Sequence, residues 1–571
     1  MKRIYYLLMA ACLIIVACNP TVPEEPTEDP EEVKSKTEVE KVDSAYPAEN
    51  YTVPSFTALC IAKEAARENP TEENLQAMYQ KVEELVGKEE PYCMVANIHG
   101  DPKTMMAFNW FTNDGITDGE VQLIANANAT EADFDAKAGV ITVEALSTQT
   151  KALRYSGKVQ YIVKAAGIKA NVRYKYIAHK ALATDLIPGT EYSWRVGYEG
   201  HWSPIAHFRT EDANQGEFSF IYMSDSHIMN PEYIKHARRC ALAAVKTVPE
   251  AKFCVFPGDF VEDGDANNGE WEWERWFEEA LEPVIKAMPI VPTDGNHDDS
   301  PNINYTYHFN TDNEFNRMIT SKPQFEGIIY NFVYGDALFL VFSMQDFWRE
   351  TYSFINGTSE YLTDHVSPWF ISKTRENPDT KYRFSLAHFN LFSGSDHSTD
   401  EEPPLFRACM LPTMKACEID VALQGHDHTY EVIGPVDPDN CTPILSAISD
   451  REIVPVDNNK NRTGYKGGTY CTDDGTLYFI GSTGGRKRYY PHSRERMESD
   501  FEAGKHNVPN YFDLFTGMFG QPEAPSFTKI TVKDDCIEFN SYTADDDNGS
   551  VTLFNTWRVV RTKPHTIPAI N

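Results

Sequence analysis

The chain has 571 residues, which is too long for one ordinary hydrophobic core and predicts two or three domains. Its contents of 41% hydrophobic and 12% aromatic residues are those of a folded globular protein. The formal net charge of −33 argues against a nucleic-acid-binding surface, because phosphate backbones require a basic partner. This charge does not exclude a small anionic substrate, since a bound metal ion would dominate its local field.

The N-terminal segment MKRIYYLLMAACLIIVAC begins with basic residues and continues with an apolar run, which indicates a signal peptide over residues 1–17. The run from Ile4 to Ala17 is shorter than the roughly 20 residues that a membrane-spanning helix needs. The sequence IVAC resembles the lipobox of bacterial lipoproteins, which implies lipidation of Cys18. We therefore expect an exported lipoprotein of the bacterial cell envelope, attached to the membrane through Cys18.

Residues 18–50 are rich in Pro, Glu and Asp and nearly free of apolar side chains, so we expect a disordered acidic tether. Of the 11 cysteines, Cys12 leaves with the signal and Cys18 would be lipidated, which leaves nine. An odd number means that at least one is unpaired in a monomer. We expect most of them to be small buried hydrophobic side chains.

Residues 51–90 show helical spacing around a Pro-Thr-Glu-Glu break, which would cap a second helix. Short β-type runs follow over residues 91–211 and predict a small β-sandwich. Within it, IHGDPKTMMAFNWFT and LIPGTEYSWRVGYEGHWSPIAHFRT resemble the fibronectin-III-like domain that precedes the catalytic domain in purple acid phosphatases. The alternative is another sandwich module, such as a carbohydrate binder.

Residues 212–571 alternate apolar β-type runs with amphipathic helices, which is typical of layered α/β structure. In WEWERWFEEALEPVIKAM the helical spacing predicts a core-facing stripe with the glutamates opposite. The stripe consists of Trp273, Trp276, Phe277, Ala280, Leu281 and Val284.

The last β-type runs, SFTKITVKDDCIEFNSYT and TWRVVRT, are expected to complete the second sheet of this part.

Five apolar strand candidates in this part each end in a polar cluster: SDSH, GD, GNHD, AH and GHDH. Open α/β sheets place their sites at the carboxyl ends of strands, so we expect these clusters to meet. Any one of them alone is a weak signal, whereas all five in order are a strong one. They supply Asp225 and His227, then Asp259, then Asn296 and His297, then His388, and finally His426 and His428.

Asp, Asn and His ligands together suit manganese, iron or zinc, whereas calcium prefers oxygen alone. Asp259 would bridge two cations, because a carboxylate can bind a metal through each oxygen. Two metals about 3.5 Å apart can clamp an in-line phosphoryl displacement and acidify a shared water. The sequence therefore predicts two divalent metal ions (Mn, Fe or Zn).

This ordered set of motifs resembles that of the calcineurin-like metallophosphoesterases. The resemblance implies an α/β (α+β) multidomain chain, in which a four-layer αββα metallophosphoesterase sandwich follows the all-β front domain. It implies that His297 binds no metal and instead protonates the leaving alkoxide or stabilises its charge. It further implies a first metal on Asp225, His227, Asp259 and His428, and a second on Asp259, Asn296, His388 and His426.

Glu262 stands three residues after the bridging aspartate. In calcineurin-like enzymes an Asp there often pairs with the GNHD histidine, so Glu262 would polarise His297, with Asp263 as a competing partner. A solvent-facing loop carboxylate is an equally weighted interpretation.

Two further features stay open. In GSTGGRKRYY, residues 481–490, small residues would let the backbone approach a ligand and Arg486 or Arg488 would meet a phosphate, although a solvated basic turn is the favoured interpretation. His397 would either lie near the site or cap a loop.

The leading interpretation is hydrolysis of a small phosphate ester by a water held between two metals, with monoesters favoured through the resemblance to purple acid phosphatases. A phosphodiesterase or nucleotidase using the same site is the alternative. A surface lipoprotein that binds a glycan or another ligand is an alternative of another class, as is a degenerate relative without activity. The oligomeric state stays open.

Purple acid phosphatases carry a tyrosine where this chain has Glu262, and that tyrosine binds iron(III). We therefore expect a colourless protein, because His227 supplies the ligand that the tyrosinate would have given. A visible absorption spectrum of the metal-loaded protein checks this: a purple preparation with a charge-transfer band would contradict it.

Overall fold

The computed structural model describes residues 62–569, with gaps at 63–64, 67, 87–89, 151–152, 155–172, 175, 263, 265–269, 299–303, 313–326, 345–358 and 456–463. The predicted signal peptide, the acidic tether and the first part of the helical segment lie outside the described residues. Helix α1 (Glu72–Val86) follows Thr71, whose hydroxyl accepts a hydrogen bond from the Asn74 N–H at 3.2 Å, so the predicted break caps this helix. In the described part of the chain, no helix has both the length and the apolar character needed to cross a membrane.

The front part folds as the predicted β-sandwich. Its strands are β1 (Tyr92–Asn97), β2 (Met106–Asn113), β3 (Glu120–Ile124), β4 (Ile141–Glu144), β5 (Leu146–Gln149), β6 (Leu153–Arg154), β7 (Arg173–Tyr174), β8 (Tyr176–Ala183), β9 (Glu191–Tyr198), β10 (His201–Trp202) and β11 (Ala206–Arg209), with a short helix α2 (Glu131–Asp135) after β3. One sheet has the order β1-β2-β8-β5, and β10-β9-β3-β4 with β11 form the other. Phe108, Trp110 and Trp194 fill the core of this sandwich.

The second part carries the remaining elements. Its helices are α3 (Pro231–Thr247), α4 (Glu270–Arg275), α5 (Glu282–Ala287), α6 (Asn304–His308), α7 (Ser367–Glu376), α8 (Glu402–Ala416) and α9 (Arg494–Glu502). Its strands are β12 (Phe218–Tyr222), β13 (Cys254–Pro257), β14 (Ile290–Thr293), β15 (Ile329–Tyr334), β16 (Ala337–Phe342), β17 (Tyr382–Leu386), β18 (Val421–Gln424), β19 (Tyr430–Asp437), β20 (Thr442–Pro443), β21 (Ile448–Ile453), β22 (Tyr465–Cys471), β23 (Thr476–Gly481), β24 (Phe519–Gly520), β25 (Ser526–Val532), β26 (Ile537–Ala544) and β27 (Val551–Val560).

Two sheets of this part stack face to face. Strands β12–β14 and β25–β27 belong to the first, and β15–β19 with β23 to the second. Phe220 of the first sheet contacts Phe339 and Phe384 of the second, with ring centroids 5.5 and 5.8 Å apart. On the outer faces, α3 packs on β25 and β26, and α7 packs on β16. This is the predicted four-layer αββα fold.

Strand β1 joins the front and second parts into one sheet. It pairs with β14 in parallel through Asn97 and Ile290, so the chain has a twelve-stranded sheet where the sequence indicated a boundary between residues 211 and 212. Met94 points into the sandwich core and Val95 into the core of the second part. A strand that is buried on both faces has an unbroken apolar sequence, so its pattern did not predict that β1 lies between the two parts.

Two details of the second part differ from the prediction. The tryptophan-rich stripe is buried as predicted, but three glutamates of the same segment, Glu272, Glu274 and Glu279, are buried too. Glu279 accepts a hydrogen bond from Arg275 at 2.5 Å. The C-terminal strands pair with β12 through β25, so they extend the sheet of β12–β14 rather than that of β17 and β18. The eight described cysteines form no disulfides with one another, and six of them are buried.

Candidate metal centre

Five strands end at one edge of the stacked sheets. Strands β12, β13 and β14 run parallel to one another, as do β17 and β18, so their carboxyl ends point the same way. The loops after these ends carry the five predicted polar clusters. Asp225, Asp259 and His426 adopt left-handed backbone conformations, with φ of 56°, 51° and 70°, which are costly for residues other than glycine and concentrate at functional sites.

The structure brings the four residues predicted for the first metal together. Asp225, His227, Asp259 and His428 are buried, and their potential ligand atoms lie within 4.8 Å of one another. The Nε2 atoms of His227 and His428 are 2.9 Å apart, and Nε2 of His227 is 3.2 Å from Oδ2 of Asp259.

The second predicted set converges on the same carboxylate. Asp259, His388 and His426 form a buried group with ligand atoms within 4.8 Å. Nε2 of His388 lies 3.2 Å from Oδ2 of Asp259 and 3.0 Å from Oδ1 of Asn296. Asp259 is therefore shared by both groups, as a bridging ligand must be.

The hydrogen bonds around two histidines indicate that cations fit between these groups. Nδ1 of His227 is held by the Glu262 carboxylate at 2.8 Å, and Nδ1 of His388 by the Pro257 carbonyl at 2.8 Å. Nε2 of each ring therefore faces an oxygen of Asp259, and in the neutral form of the ring its lone pair would be available to a metal ion between them. Oδ2 of Asp225 and Nδ1 of His428 are buried without a hydrogen-bond partner, as expected of polar atoms at a metal site.

The Asp259 carboxylate favours positive charge on the two histidines whose Nε2 atoms face it, His227 and His388. Burial works against protonation of His227 and His388, but the Asp259 carboxylate outweighs it and raises the pKa of His227 to about 9 and of His388 to about 10. These histidines in turn lower the pKa of Asp259 well below its ordinary value, against the effect of its burial. Metal ions would replace the protons that the cluster otherwise attracts.

Asp298, the last residue of GNHD, organises the loops after β13 and β14. Its Oδ2 accepts hydrogen bonds from the N–H groups of Asp259 and Gly295 at 2.8 and 2.7 Å. Its Oδ1 accepts from Phe260 and Val261 at 2.7 and 3.2 Å. Sequence reasoning missed this role, although the motif itself contains the residue.

Asp427, between the two histidines of GHDH, was missed in the same way. It accepts hydrogen bonds from the Ser393 hydroxyl at 2.5 Å and the Ser395 N–H at 3.1 Å, which tie the loop after His388 to the loop after β18. Burial and the adjacent Asp427, to which Glu431 is hydrogen-bonded, raise the pKa of Glu431 well above its ordinary value.

His397, for which two interpretations were open, lies at the site. Its ring stacks on His426 with centroids 3.6 Å apart, and its Nδ1 is 2.7 Å from Oδ2 of Asp400.

Glu262 contacts a different histidine from the one predicted. Its carboxylate bonds Nδ1 of His227 at 2.8 Å but is 3.9 Å from Nδ1 of His297. Nδ1 of His297 instead donates to the backbone carbonyl of Glu262 at 2.6 Å. The carboxylate turns toward His227 because that ring is fully buried and has an N–H to satisfy, and the hydrogen bond lowers the pKa of Glu262 against the effect of burial. Asp263 lies outside the described residues.

The GSTGGRKRYY segment packs against protein rather than presenting its small residues to a ligand. The N–H of Gly484 donates to the Ser224 carbonyl at 2.7 Å, and the Thr483 hydroxyl to the Asp225 carbonyl at 2.7 Å. Arg486 lies over the ring of Tyr233. The residues of this segment that reach the site are Lys487 and Tyr489, neither of which the sequence singled out.

Comparison with known proteins agrees with this geometry. Residues 91–210 match the purple acid phosphatase N-terminal domain family, and residues 218–430 match the calcineurin-like phosphoesterase family. The chain thus contains a region, residues 218–430, that matches the calcineurin-like phosphoesterases. More particularly, it joins such a domain to the N-terminal domain of the purple acid phosphatases.

The curated relatives are distant. "Probable inactive purple acid phosphatase 1" of Arabidopsis thaliana is 22% identical over 294 residues, which are 46% of this chain and 45% of the relative. "Acid phosphatase type 7" of Homo sapiens is 22% identical over 281 residues, 46% of this chain and 59% of the relative. The chain thus matches about half the length of these relatives.

A solved purple acid phosphatase, PPD1 from yellow lupin (Lupinus luteus) seeds, superposes with a TM-score of 0.56 at 14% identity. The superposition covers 83% of this chain and 75% of the lupin chain. At this identity the likeness shows the fold.

Replacing Asp298 tests the organisation of the site. We expect Asp298→Asn to weaken metal binding about 10- to 100-fold, because an amide cannot accept all four hydrogen bonds and the loop bearing Asp259 would shift. Metal titration followed by elemental analysis measures this. Asp336→Asn makes the same chemical change at an exposed position and should leave the affinity unaltered. Equal affinity in both variants would contradict the role given to Asp298.

Proposed function

We propose that the chain is an exported, dinuclear-metal-dependent phosphomonoesterase. The observation that carries the proposal is the convergence of two buried ligand groups on the single carboxylate of Asp259. A pair of divalent ions there would supply an acidified water and neutralise the phosphoryl oxygens. The hydrolytic chemistry then needs a group that assists departure of the alcohol.

His297 is placed for that task. Its ring centroid is 4.7 Å from that of His227, and 28% of its side chain is exposed, so it lies at the mouth of the buried cluster. Its Nδ1–H donates to the Glu262 carbonyl, which fixes the ring, so Nε2 can protonate the leaving oxygen when the ring is in its imidazolium form. Burial lowers the pKa of His297, so acidic pH favours this form. His397 and Tyr489 complete the rim.

The preference for monoesters is supported by the similarity to the human acid phosphatase type 7 and by the front region, which matches the N-terminal domain of purple acid phosphatases. The N-terminal leader and its lipobox-like end support a location in the bacterial cell envelope, where the protein would be attached to the membrane through Cys18. The net charge of −33 supports a small phosphate ester over nucleic acid as substrate.

Metal removal tests the function. We expect the purified protein to hydrolyse aryl and alkyl phosphate monoesters, to lose this activity on chelation, and to regain it with manganese, iron or zinc. Elemental analysis should find two ions in the native protein and fewer in Asp259→Ala. A native protein that holds at most one ion, or that hydrolyses no ester with any of the three metals, would contradict the proposal.

His297→Gln tests the assignment of the general acid. We expect kcat to fall by about 10²- to 10⁴-fold for alkyl phosphates, and much less for p-nitrophenyl phosphate, because a good leaving group needs little protonation. His365→Gln, at an exposed position, is the matched control. An equal loss with both kinds of leaving group would show that His297 acts in some other way.

A further inference from the structure

The segment 486–489 presents its side chains in two directions. Arg486 lies over the ring of Tyr233 at 5.7 Å, and Arg488 donates to the carbonyl of Arg486 at 2.9 Å. Lys487 and Tyr489 point the other way, toward the metal centre, where Lys487 contacts Glu262 and Tyr489 contacts His428. The ring of Tyr489 stacks on His428 with centroids 4.3 Å apart and planes inclined by 4°. One side of the candidate metal centre is therefore walled by an aromatic ring and an ammonium group.

The ammonium of Lys487 retains capacity for a ligand. Among the described residues, the ammonium contacts Oε2 of Glu262 at 3.4 Å, which is long for a hydrogen bond. The same oxygen accepts a shorter hydrogen bond, 2.8 Å, from Nδ1 of His227. An ammonium has three donors, so this contact leaves donors for another acceptor. The side chain is 24% exposed, which leaves it open to an entering molecule.

The contacts of Lys487 place its ammonium beside the centre. Glu262, whose Oε2 lies 3.4 Å from the ammonium, also bonds Nδ1 of His227 at 2.8 Å. The ring of His297 lies 4.7 Å from that of His227. An anion bound against these two histidines would lie within the field of Lys487.

We propose that Lys487 binds a non-bridging phosphoryl oxygen of the substrate and makes the site selective for dianionic monoesters over diesters. This inference rests on the proposed function. A monoester loses its second proton near pH 6 and carries a second negative charge at neutral pH, which a diester cannot. Lys487 would pair with that charge, whereas the second ester group of a diester would have to fit against Lys487 and Tyr489.

Lys487→Met tests the inference with p-nitrophenyl phosphate and its bis-p-nitrophenyl diester, which share one leaving group. We expect kcat/KM to fall about 10- to 100-fold for the monoester and less than about threefold for the diester, with unchanged metal content. Binding of inorganic phosphate, measured by calorimetry on the metal-loaded protein, should weaken by a similar factor. Lys487→Arg should recover much of both losses, and Arg486→Met should behave as the native protein.

The outcomes separate the two proposals. If the native protein hydrolyses neither ester, the proposed function fails. If it hydrolyses the monoester but Lys487→Met lowers both esters equally, or leaves phosphate binding unchanged, Lys487 does not select the substrate and this inference alone fails. A fall in metal content would show that Lys487 acts by supporting Glu262 and His227, which would also overturn it.

Discussion

The carboxylate of Asp298 holds four backbone N–H groups from the loops that follow β13 and β14. Those loops carry Asp259 and Asn296, so the position of the bridging ligand depends on this cluster of hydrogen bonds. The packing is close: a Cβ on Gly295 would lie 2.2 Å from the backbone nitrogen of Asp259, so no residue larger than glycine fits. The left-handed conformation of Asp259 is maintained by the same contacts.

Polar groups that hydrogen-bond to the candidate metal ligands determine the orientation and the tautomer of those ligands. Glu262 and the Pro257 carbonyl fix the tautomers of His227 and His388, which directs two nitrogen lone pairs at one carboxylate. On the other side, Asp427 accepts hydrogen bonds from Ser393 and Gly394 and so secures the loop that brings His397 onto His426. Glu262 stands at the position where the sequence resemblance puts the tyrosine of purple acid phosphatases, and in this chain its carboxylate supports His227.

The layered fold and the convergence of the five strand ends could be predicted because strand ends, apolar runs and motif order are local properties of the sequence. The hydrogen bond between Glu262 and His227 could not be predicted, because His227 and His297 are both within reach of this carboxylate and only the burial of their rings decides between them. The role of Lys487 could not be predicted either, because it stands between two arginines of the same charge. The direction of its side chain and of Arg486 depends on contacts with Glu262 and Tyr233, which lie more than 200 residues away in the sequence. The shared sheet was missed because β1 is apolar on both faces.

The pairing of β1 with β14 has a consequence for the way the two parts coexist. A front sandwich cut free at residue 210 would expose Cys93 and Val95 to water and leave an unpaired edge open to other chains. The second part alone would lose the neighbour of the strand that leads into GNHD. The front sandwich is therefore an integral part of the sheet that carries the candidate metal centre, rather than a detachable accessory module.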